Sequence, residues 1–429
     1  MTKTETSRSE PTFTQPEPLV TAKQPHFVFL NQYYPPDLAP TGVMLRDVAD
    51  EMVARGIRVT ILCSRGGYSG AGRSNRNEPP DSSRQVEVIR VPTFRFGRQT
   101  VLGKLCDYAS FYLFAFFGAL TVRGRPTCYV AMTTPPYLGV LARFVSKFRG
   151  ARHAHWVMDL YPDVMVAHGL FKEGSLKARV LRGLSRWGFG GKRNQGTIAL
   201  GPDMARKLEN GHGVEDCAVV PLWSGVDLKE NALIESRELR KQRGWENKLV
   251  FLYSGNMGLG HSLEDFLAMA KWSENRPHLL FAFYGDGKRR QEVKDFRDKN
   301  PGVALELGDY VAEELLTPHL LSADVHLASL KPEWDGCMVP SKVQGIFASG
   351  RPLLFVGSET CAIGEWINDA EAGWVVAPGD HEKMRACLDQ CLDENLRCHK
   401  GERALRFGKN HFHRLHNRAE IAKRLLQVH

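Results

Sequence analysis

The stretch LVFLYSGNMGLGHSLEDFL (249–267) indicates the fold of this chain most directly, together with three later ones: LLFAFYGDGKRR (279–290), VPSKVQGIFASGRPLLFVG (339–357) and AGWVVAPGD (372–380). Each contains an apolar run typical of a buried strand, and each run stops at a Gly-rich turn that leads to a helix-like segment. Four such units predict an open parallel sheet, in which helix N-termini and backbone N–H groups gather at the carboxyl ends of the strands. A crevice of this kind suits an anion, and we expect a nucleotide diphosphate there.

Composition indicates a globular protein. The chain has 429 residues with 43% hydrophobic content, which is enough for two or three domains. Its nine cysteines form no CxxC pair, so we expect reduced thiols and no structural zinc. The net charge is +9, but the sequence carries no nucleic-acid-binding motif and its basic residues form no single block. Nucleic acid is therefore not expected as a partner.

The chain divides into two halves, each with the same alternation of strands and helices. Residues 1–24 are rich in Thr, Ser, Glu and Pro and are typical of a disordered tail. Domains are predicted over 25–227 and 248–408, with the polar residues 228–247 as the connection and 409–429 as a helix that packs back on the first domain. The predicted fold class is α/β, with two Rossmann-like doubly wound domains and a cleft between them.

Two segments of the first half each allow two interpretations. Residues 64–84 are too rich in Gly, Ser and Arg to pack, so they form either a solvated loop or a loop whose arginines collect an acceptor phosphate. The helix YASFYLFAFFGALTV (108–122) is too short to span a bilayer, and Lys104, Arg123 and Arg125 flank it. It is either an interfacial helix on an anionic membrane or a buried core helix, and its periodicity does not separate the two.

A further polar candidate stands in WVMDLYPDV (156–164). Asp159 follows a predicted strand, at the edge where the crevice of this type of sheet lies. The alternative is that Asp159 caps the helix that follows.

Eight motifs, in order, carry a resemblance that covers about residues 27–410. They are LNQYYPPDLAPTG (30–42), TTPPYLG (133–139), WVMDLYPDV (156–164), YSGNMGLGH (253–261), YGDGKRR (284–290), LSADVHLASL (321–330), VPSKVQGIFASGRP (339–352) and GWVVAPGD (373–380). On these motifs the chain resembles the GT-B fold retaining glycosyltransferases of family 4. Within that family it is similar to the bacterial exopolysaccharide and O-antigen enzymes of the colanic-acid type.

The resemblance implies a hexose-type transfer from a nucleotide-diphosphate donor, with a UDP-sugar favoured, held in the second domain. The acceptor, a saccharide or a polyprenyl-diphosphate-linked sugar, would lie in the first domain on the side of Tyr34 and Gly42. The family needs no metal and no cofactor, because helix N-termini and cationic side chains neutralise the departing diphosphate. Such an enzyme would be cytoplasmic or peripheral on the inner face of the plasma membrane, in contact with anionic lipid through residues 104–125.

The same resemblance assigns site residues. Lys342 is the preferred cation for the leaving diphosphate, because Pro340 and Ser341 indicate a helix start that brings the helix dipole to the same point. His261 and Asp159 are the other catalytic candidates. The donor-binding candidates share positions in the Gly-rich turns or beside Lys342: Gly255, Asn256, Gly285, Gly287, Arg289, Asp335, Pro340, Ser341 and Gln344. For Lys342 a solvated side chain, for Gly255 a plain turn and for His261 a surface position are the alternatives.

Three departures from the family pattern bear on activity. Cys337 and Gly345 stand where the family carries two glutamates, although Asp335 and Gln344 lie near enough to substitute for them. Leu259 replaces an arginine of the subgroup, and Met158 replaces a histidine that often precedes the aspartate. Two other functions stay open, the first because it shares the two-domain architecture and the second because the missing glutamates permit it. One is a nucleotide-sugar 2-epimerase, and the other is a non-catalytic membrane-associated assembly subunit on the same scaffold.

Overall fold

A computed structural model describes residues 24–37, 39–65, 86–94, 101–226, 228 and 230–427, with only the backbone of residues 101, 102 and 104. The predicted tail, except Gln24, and nearly all of the predicted loop 64–84 lie outside these residues, as does the side chain of Lys104. The described chain forms two parallel sheets, each covered by helices. The predicted α/β fold with two Rossmann-like units is confirmed.

The first sheet has seven strands in the order β3-β2-β1-β4-β5-β6-β7. The elements of this half are β1 (His26–Leu30), α1 (Pro40–Ala54), β2 (Arg58–Ser64), β3 (Val86–Val91), α2 (Val101–Leu120), β4 (Cys128–Ala131), α3 (Leu138–Arg149), β5 (Arg152–Trp156), α4 (Asp163–Ala167), α5 (Leu176–Phe189), β6 (Asn194–Ala199), α6 (Pro202–His212) and β7 (Cys217–Val219).

The second sheet has six strands in the order β10-β9-β8-β11-β12-β13. Its half contains α7 (Ala232–Gln242), β8 (Leu249–Ser254), α8 (Glu264–Trp272), β9 (Leu279–Tyr284), α9 (Arg290–Lys299), β10 (Leu305–Gly308), α10 (Leu316–Leu321), β11 (Val325–Ser329), α11 (Lys342–Ser349), β12 (Leu353–Val356), α12 (Ala362–Ala370), β13 (Gly373–Val376), α13 (His381–Leu392) and α14 (Glu394–His411), and the final helix is α15 (Arg414–Leu426). Two short 3₁₀ turns occupy Glu313–Leu315 and Pro332–Trp334.

Helices cover both faces of the first sheet, which is why its central strands β1 and β4 are apolar apart from His26. Successive side chains of β1 point to opposite faces: Phe27 and Phe29 join the core under α1 and α15, whereas Val28 and Leu30 join the core under α2 and α3. Helix α5 packs beside α3. Helices α2, α3 and α5 therefore form one outer layer, and α1 and α15 lie on the other side of the sheet.

Helix α2 combines the two interpretations of residues 108–122. Phe111, Ala115 and Ala119 are fully buried against the sheet, as a core helix requires. Leu113 and Phe117 point the other way and are more than half exposed. The helix is thus core on one side and apolar toward solvent on the other. Among the helices that the structure describes, none combines enough length with enough apolar character to cross a bilayer.

The stretch 228–247 is more than an extended connection between the halves. It contains α7, which packs on α10, and Arg240 binds the carboxylate of Asp324 at 3.0 Å. Trp245 is buried with Val250 beneath the second sheet. The polar composition of this stretch does not indicate the packing of α7 on α10, because most of the surface of α7 faces solvent.

The last helix returns to the first half. Arg414 forms a bidentate pair with Asp47 of α1, with both N–O distances at 2.7 Å, and Arg418 pairs with Glu51 at 3.0 Å. The chain therefore crosses between the halves twice, once before α7 and once between α14 and α15.

Candidate active site

The carboxyl ends of the second sheet bring three Gly turns together. The N–H of Gly255 after β8 donates to the Tyr284 carbonyl at 2.9 Å, and the N–H of Gly285 after β9 donates to Gly308 at 3.1 Å. A Cβ on Gly285 would lie 2.1 Å from the Gly255 carbonyl oxygen, and one on Gly287 would lie 2.5 Å from that of Met257. Gly285 and Gly287 also have φ values of +132° and +140°, which side chains disfavour. Only glycine fits these positions, so the turns can pack backbone against backbone.

Lys342 lies beside these turns as the first residue of α11. Its Nζ atom lies 3.7 Å from the centroid of the Tyr253 ring, and its Cδ atom lies 3.4 Å from where a Cβ on Gly255 would be. Nζ is buried and has no hydrogen-bond partner in the described part of the chain. Burial lowers the pKa of Lys342 to about 7. An ammonium group that pairs with no described residue, at a helix N-terminus, is suited to an anionic ligand.

His261 lies on the edge of the same Tyr253 ring, with the ring centroids 6.1 Å apart. Burial, and then the charge of Lys342, lower the pKa of His261 to about 3, so its ring is neutral at physiological pH. Nδ1 is bonded to the Ser329 carbonyl, which can only accept, so Nδ1 carries the proton. The Nε2 atom is then an acceptor, and His261 supplies no charge to a diphosphate.

Arg289 does not provide the cation that the sequence suggests. Its guanidinium is buried, lies 2.6 Å from Glu292, also pairs with Glu264 and donates to the His261 carbonyl. Burial acts to lower the pKa of Arg289, but the hydrogen bonds that Arg289 donates to Glu292 and Glu264 outweigh burial and raise the pKa. Two carboxylates compensate its charge, so Arg289 braces the turn that carries His261.

Two substitutes for the missing glutamates lie close to Lys342 in the chain. Gln344 is fully buried in α11, and neither its amide nitrogen nor its amide oxygen has a partner among the residues described. Burial raises the pKa of Asp335 to about 6, with a further raising effect from Asp203. Buried polar groups are normally hydrogen-bonded, so the Gln344 amide is suited to a polar ligand group.

The remaining donor candidates are placed at the turn edges. Asn256 is exposed above the Gly turns, and its backbone carbonyl accepts from the Tyr253 hydroxyl at 2.8 Å. Pro340 is buried and Ser341 is exposed, and both directly precede α11. The predicted helix start at this point is therefore present.

Asp159 faces the second half from the end of β5. It forms a β-bridge with Met338, and the N–H of Leu160 donates to the Cys337 carbonyl at 2.8 Å. Burial raises the pKa of Asp159 to about 6, and that of the neighbouring Cys337 thiol to about 11. Asp159 is thus a poorly solvated carboxyl group where the two halves touch, beside the segment that leads to Lys342.

The two acceptor-side candidates, Tyr34 and Gly42, take part in the packing of the first half. Tyr34 is buried in the core, and Gly42 lies in the first turn of α1, where a Cβ would meet the Tyr33 carbonyl oxygen at 2.9 Å. Gly42 thus lets α1 approach the loop after β1, and Tyr34 fixes that loop.

Sequence reasoning missed two neighbours of this site. Tyr253 supplies the ring under Lys342, and its only signal was a place near the end of an apolar strand. Lys207 of α6 reaches across from the first half, with Nζ 2.8 Å from the Asp335 carbonyl and 3.3 Å from the sulfur of Cys337. Nothing in the local sequence distinguishes Lys207 from a surface lysine.

Comparison with known proteins identifies both halves. The description "Glycosyl transferase 4-like domain" matches residues 41–223, and "Glycosyl transferases group 1" matches residues 248–394. Together with the two-sheet fold, these matches show that the protein is a transferase, a glycosyltransferase of the GT-B fold.

Individual relatives are distant. The chain is 24% identical to WcaI of Escherichia coli (strain K12), provisionally named a colanic acid biosynthesis glycosyl transferase, over 77% of this chain and 83% of the relative. It is 26% identical to WbjE of Pseudomonas aeruginosa, provisionally named a glycosyltransferase, over 67% and 71%.

Solved structures with low sequence identity share the fold. WaaG, a glycosyltransferase involved in lipopolysaccharide biosynthesis, matches with a TM-score of 0.65 at 16% identity, over 94% of this chain and all of that one. HepE of Anabaena, solved in complex with UDP, matches with a TM-score of 0.66 at 14% identity, over 93% and 99%.

Proposed function

We propose that this glycosyltransferase moves a hexose-type sugar, with retention, from a UDP-sugar to a saccharide or polyprenyl-diphosphate-linked acceptor in cell-surface polysaccharide synthesis. The observation that carries the proposal is Lys342. Its Nζ atom is buried without a hydrogen-bond partner among the described residues, lies beside closely packed Gly turns and belongs to the first residue of a helix. An anionic group with several oxygens, such as a nucleotide diphosphate, would satisfy all three features at once.

In this proposal the reaction is driven by stabilisation of the leaving group. The bond between the sugar C1 and the diphosphate oxygen breaks while the acceptor oxygen bonds to C1 on the same face. The acceptor proton passes to the departing phosphate, so no enzymatic base is required. Lys342 and the N-terminus of α11 hold the developing negative charge, which is the main electrostatic contribution to catalysis. Neutral His261 accepts a hydrogen bond from a donor hydroxyl, and the Gln344 amide binds a polar group of the donor.

The choice of UDP rests on analogy with a neighbouring fold, since HepE has been solved with UDP and with UDP-glucose. The choice of acceptor rests on the relatives named for polysaccharide synthesis. A polyprenyl-linked acceptor would bring the protein from the cytoplasm to the inner face of the plasma membrane.

A thermal-shift panel of UDP, GDP, dTDP and ADP tests the donor. A ligand at about 100 times its dissociation constant adds about 2.7 kcal/mol to the unfolding free energy, so we expect a clear rise in Tm with UDP alone. Transfer assays with UDP-sugars then follow the anomeric configuration of the product by NMR. Absence of any nucleotide shift would overturn the donor site, and inversion at C1 would overturn the retaining mechanism. A change at C2 without transfer would identify an epimerase instead.

A further inference from the structure

Helix α6 of the first half contacts a short segment of the second half through two charged side chains. The Lys207 ammonium donates to the Asp335 carbonyl at 2.8 Å and lies 3.3 Å from the Cys337 sulfur. The Asp203 carboxylate accepts from the N–H of Gly336 at 2.9 Å and is almost fully buried. Asp203 and Lys207 are four residues apart, so they lie on the same side of α6. Both side chains therefore act on the same stretch of backbone.

The backbone of this stretch is suited to the contact. Gly336 has a φ of +66°, and a Cβ there would lie 2.8 Å from the Asp203 carbonyl oxygen. Glycine thus permits the close approach of α6. The bridge between Asp159 and Met338 joins the end of the same stretch to the loop after β5. We call residues 335–338 the tethered segment, because each of its residues contacts the first half.

The tethered segment leads directly to the cation of the candidate site. Residues 339–341 alone separate it from Lys342, the first residue of α11. Consecutive Cα atoms are about 3.8 Å apart, so this connection is too short to leave the two ends independent. We therefore expect a shift of the tethered segment to move Lys342 relative to the Gly turns.

The residue before the tethered segment connects it to the turn that carries His261. The Trp334 ring lies against Gly260, where a Cβ would be 2.9 Å from the Cδ2 atom of the ring. His168 of the first half meets the Trp334 ring edge-on, with the centroids 4.5 Å apart. The first half therefore also contacts the second half on the side of His261.

A further contact from α6 reaches a different part of the second half. Arg206 binds the Glu365 carboxylate of α12 at 2.6 Å and donates to the Thr360 carbonyl at 2.8 Å. Neither partner belongs to the tethered segment. This ion pair joins the two halves without contacting the route to Lys342, so it can separate the alignment of Lys342 from contact between the halves in general.

We propose that Asp203 and Lys207 are positioning residues for sugar transfer. By fixing the tethered segment, they align Lys342 with the leaving diphosphate while the two halves are in contact. They act through Lys342 and need no contact of their own with donor or acceptor. The inference rests on the proposed function, because it requires Lys342 to take part in transfer.

Steady-state kinetics of the full chain with a UDP-sugar test this role. Lys207→Met keeps an unbranched side chain but loses the ammonium, and it should lower kcat by about ten- to a hundredfold, as a misplacement of about 1 Å can. The KM for the UDP-sugar and the rise in Tm with UDP should stay as in the wild type, because the contacts of the donor itself remain. Lys207→Arg should restore most of kcat, since a guanidinium can donate to the same carbonyl. The matched control is Arg206→Gln, which should keep the wild-type kcat.

Two further variants show whether the effect passes through Lys342. Asp203→Asn should lower kcat less than Lys207→Met does, because an amide oxygen accepts more weakly than a carboxylate. Lys207→Met/Lys342→Ala should be no slower than Lys342→Ala alone, because the two residues act as one unit. Multiplied losses in the double variant would overturn the proposal. So would a wild-type kcat in folded Lys207→Met, or an equal loss of kcat in Arg206→Gln.

The labelling rate of Cys337 reports the tethered segment without an activity assay. Cys337 is buried, whereas Cys398 is exposed and serves as the internal standard. Lys207→Met should increase maleimide labelling of Cys337, followed by mass spectrometry, by about tenfold or more, and Arg206→Gln should leave it unchanged. Burial raises the pKa of the Cys337 thiol and the charge of Lys207 opposes this, so loss of that charge alone would slow labelling.

The outcomes separate this proposal from the proposed function. Unchanged or slower labelling of Cys337 in folded Lys207→Met would overturn the positioning role even if UDP binds normally. A wild type whose Tm does not rise with UDP would instead refute the donor site, whatever the labelling rate of Cys337.

Discussion

Replacing Lys342 by alanine removes the ammonium group that we expect to neutralise the leaving diphosphate. Loss of one preorganised charge contact of this kind lowers turnover by about 10² or more, which corresponds to about 2.7 kcal/mol of transition-state stabilisation. The matched control is Lys271→Ala, since Lys271 is an exposed lysine of α8 paired with Glu274 at 2.7 Å. That control should keep wild-type turnover.

The same residue should make stability depend on pH in a definite direction. Burial lowers the pKa of Lys342 from 10.5 to about 7. At about 1.36 kcal/mol per pKa unit, this is on the order of a few kcal/mol against the charged form when no ligand is bound. Between pH 7 and 10.5 the unfolded chain binds a proton that the folded chain has lost, so the unfolding free energy of the wild type rises with pH. Lys342→Met keeps an unbranched apolar stem beside Gly255 but should lack this rise.

Three measurements test the proposed role of Lys342. Turnover is measured with a UDP-sugar at saturating acceptor, Tm is followed from pH 6 to 10, and UDP affinity is followed by calorimetry over the same range. We expect affinity to fall above pH 7, because Lys342 must then take up a proton as the diphosphate binds. Near-normal turnover in Lys342→Ala would remove this residue from the mechanism, and a UDP affinity that does not change with pH would refute the assigned contact.

Further predictions concern the turns, the metal and α2. Gly285→Ala should lower Tm and abolish the rise in Tm with UDP, because its Cβ would collide with the Gly255 carbonyl. The control is Gly211→Ala, where a Cβ meets nothing, and it should keep the rise in Tm with UDP. A normal rise in Gly285→Ala would contradict the close approach of the turns. Activity should survive EDTA if Lys342 and α11 supply the positive charge, and loss restored by Mg²⁺ or Mn²⁺ would exclude that mechanism. Phe117→Ser should weaken vesicle binding with little change in Tm, because Phe117 is exposed. Phe114→Ser should lower Tm, because Phe114 packs on the core. Melting curves that reverse this order would show that the two sides of α2 are wrongly assigned.

Within the described ranges no three His, Cys, Asp or Glu side chains are grouped so that they could hold a metal ion. Independence of metal nevertheless stays a prediction, and the EDTA experiment is its test.

The sequence predicted the elements whose signals are local. Strands β8 and β9 are apolar runs closed by glycines, and a parallel sheet covered on both faces requires such runs. The start of α11 followed from Pro340 and Ser341. The role of α7 escaped prediction because its packing uses few apolar residues, and the two sides of α2 could not be separated because nearly every position is apolar.

The residues of the candidate site likewise divide into those with a local sequence signal and those without one. Lys342 could be singled out because a helix start fixes its position along the chain. Arg289 could not be excluded, because its neutralisation by Glu264 and Glu292 depends on how α8 and α9 pack. Lys207 could not be found at all, since the first half brings it to Cys337 from 130 residues away.

The second crossing of the chain has a mechanical consequence. Phe412 lies at that crossing, and its ring packs against Phe347 of α11 with the ring centroids 5.5 Å apart. Because the chain joins the halves at two places, we expect any relative movement of the halves to be a rotation about these two crossings. Lys342 lies at one end of helix α11, and Phe347, near the other end, packs against Phe412 at the second crossing. A diphosphate bound at Lys342 would therefore contact a helix that also packs against the second crossing, and we expect such binding to be felt at the bridge between Asp159 and Met338.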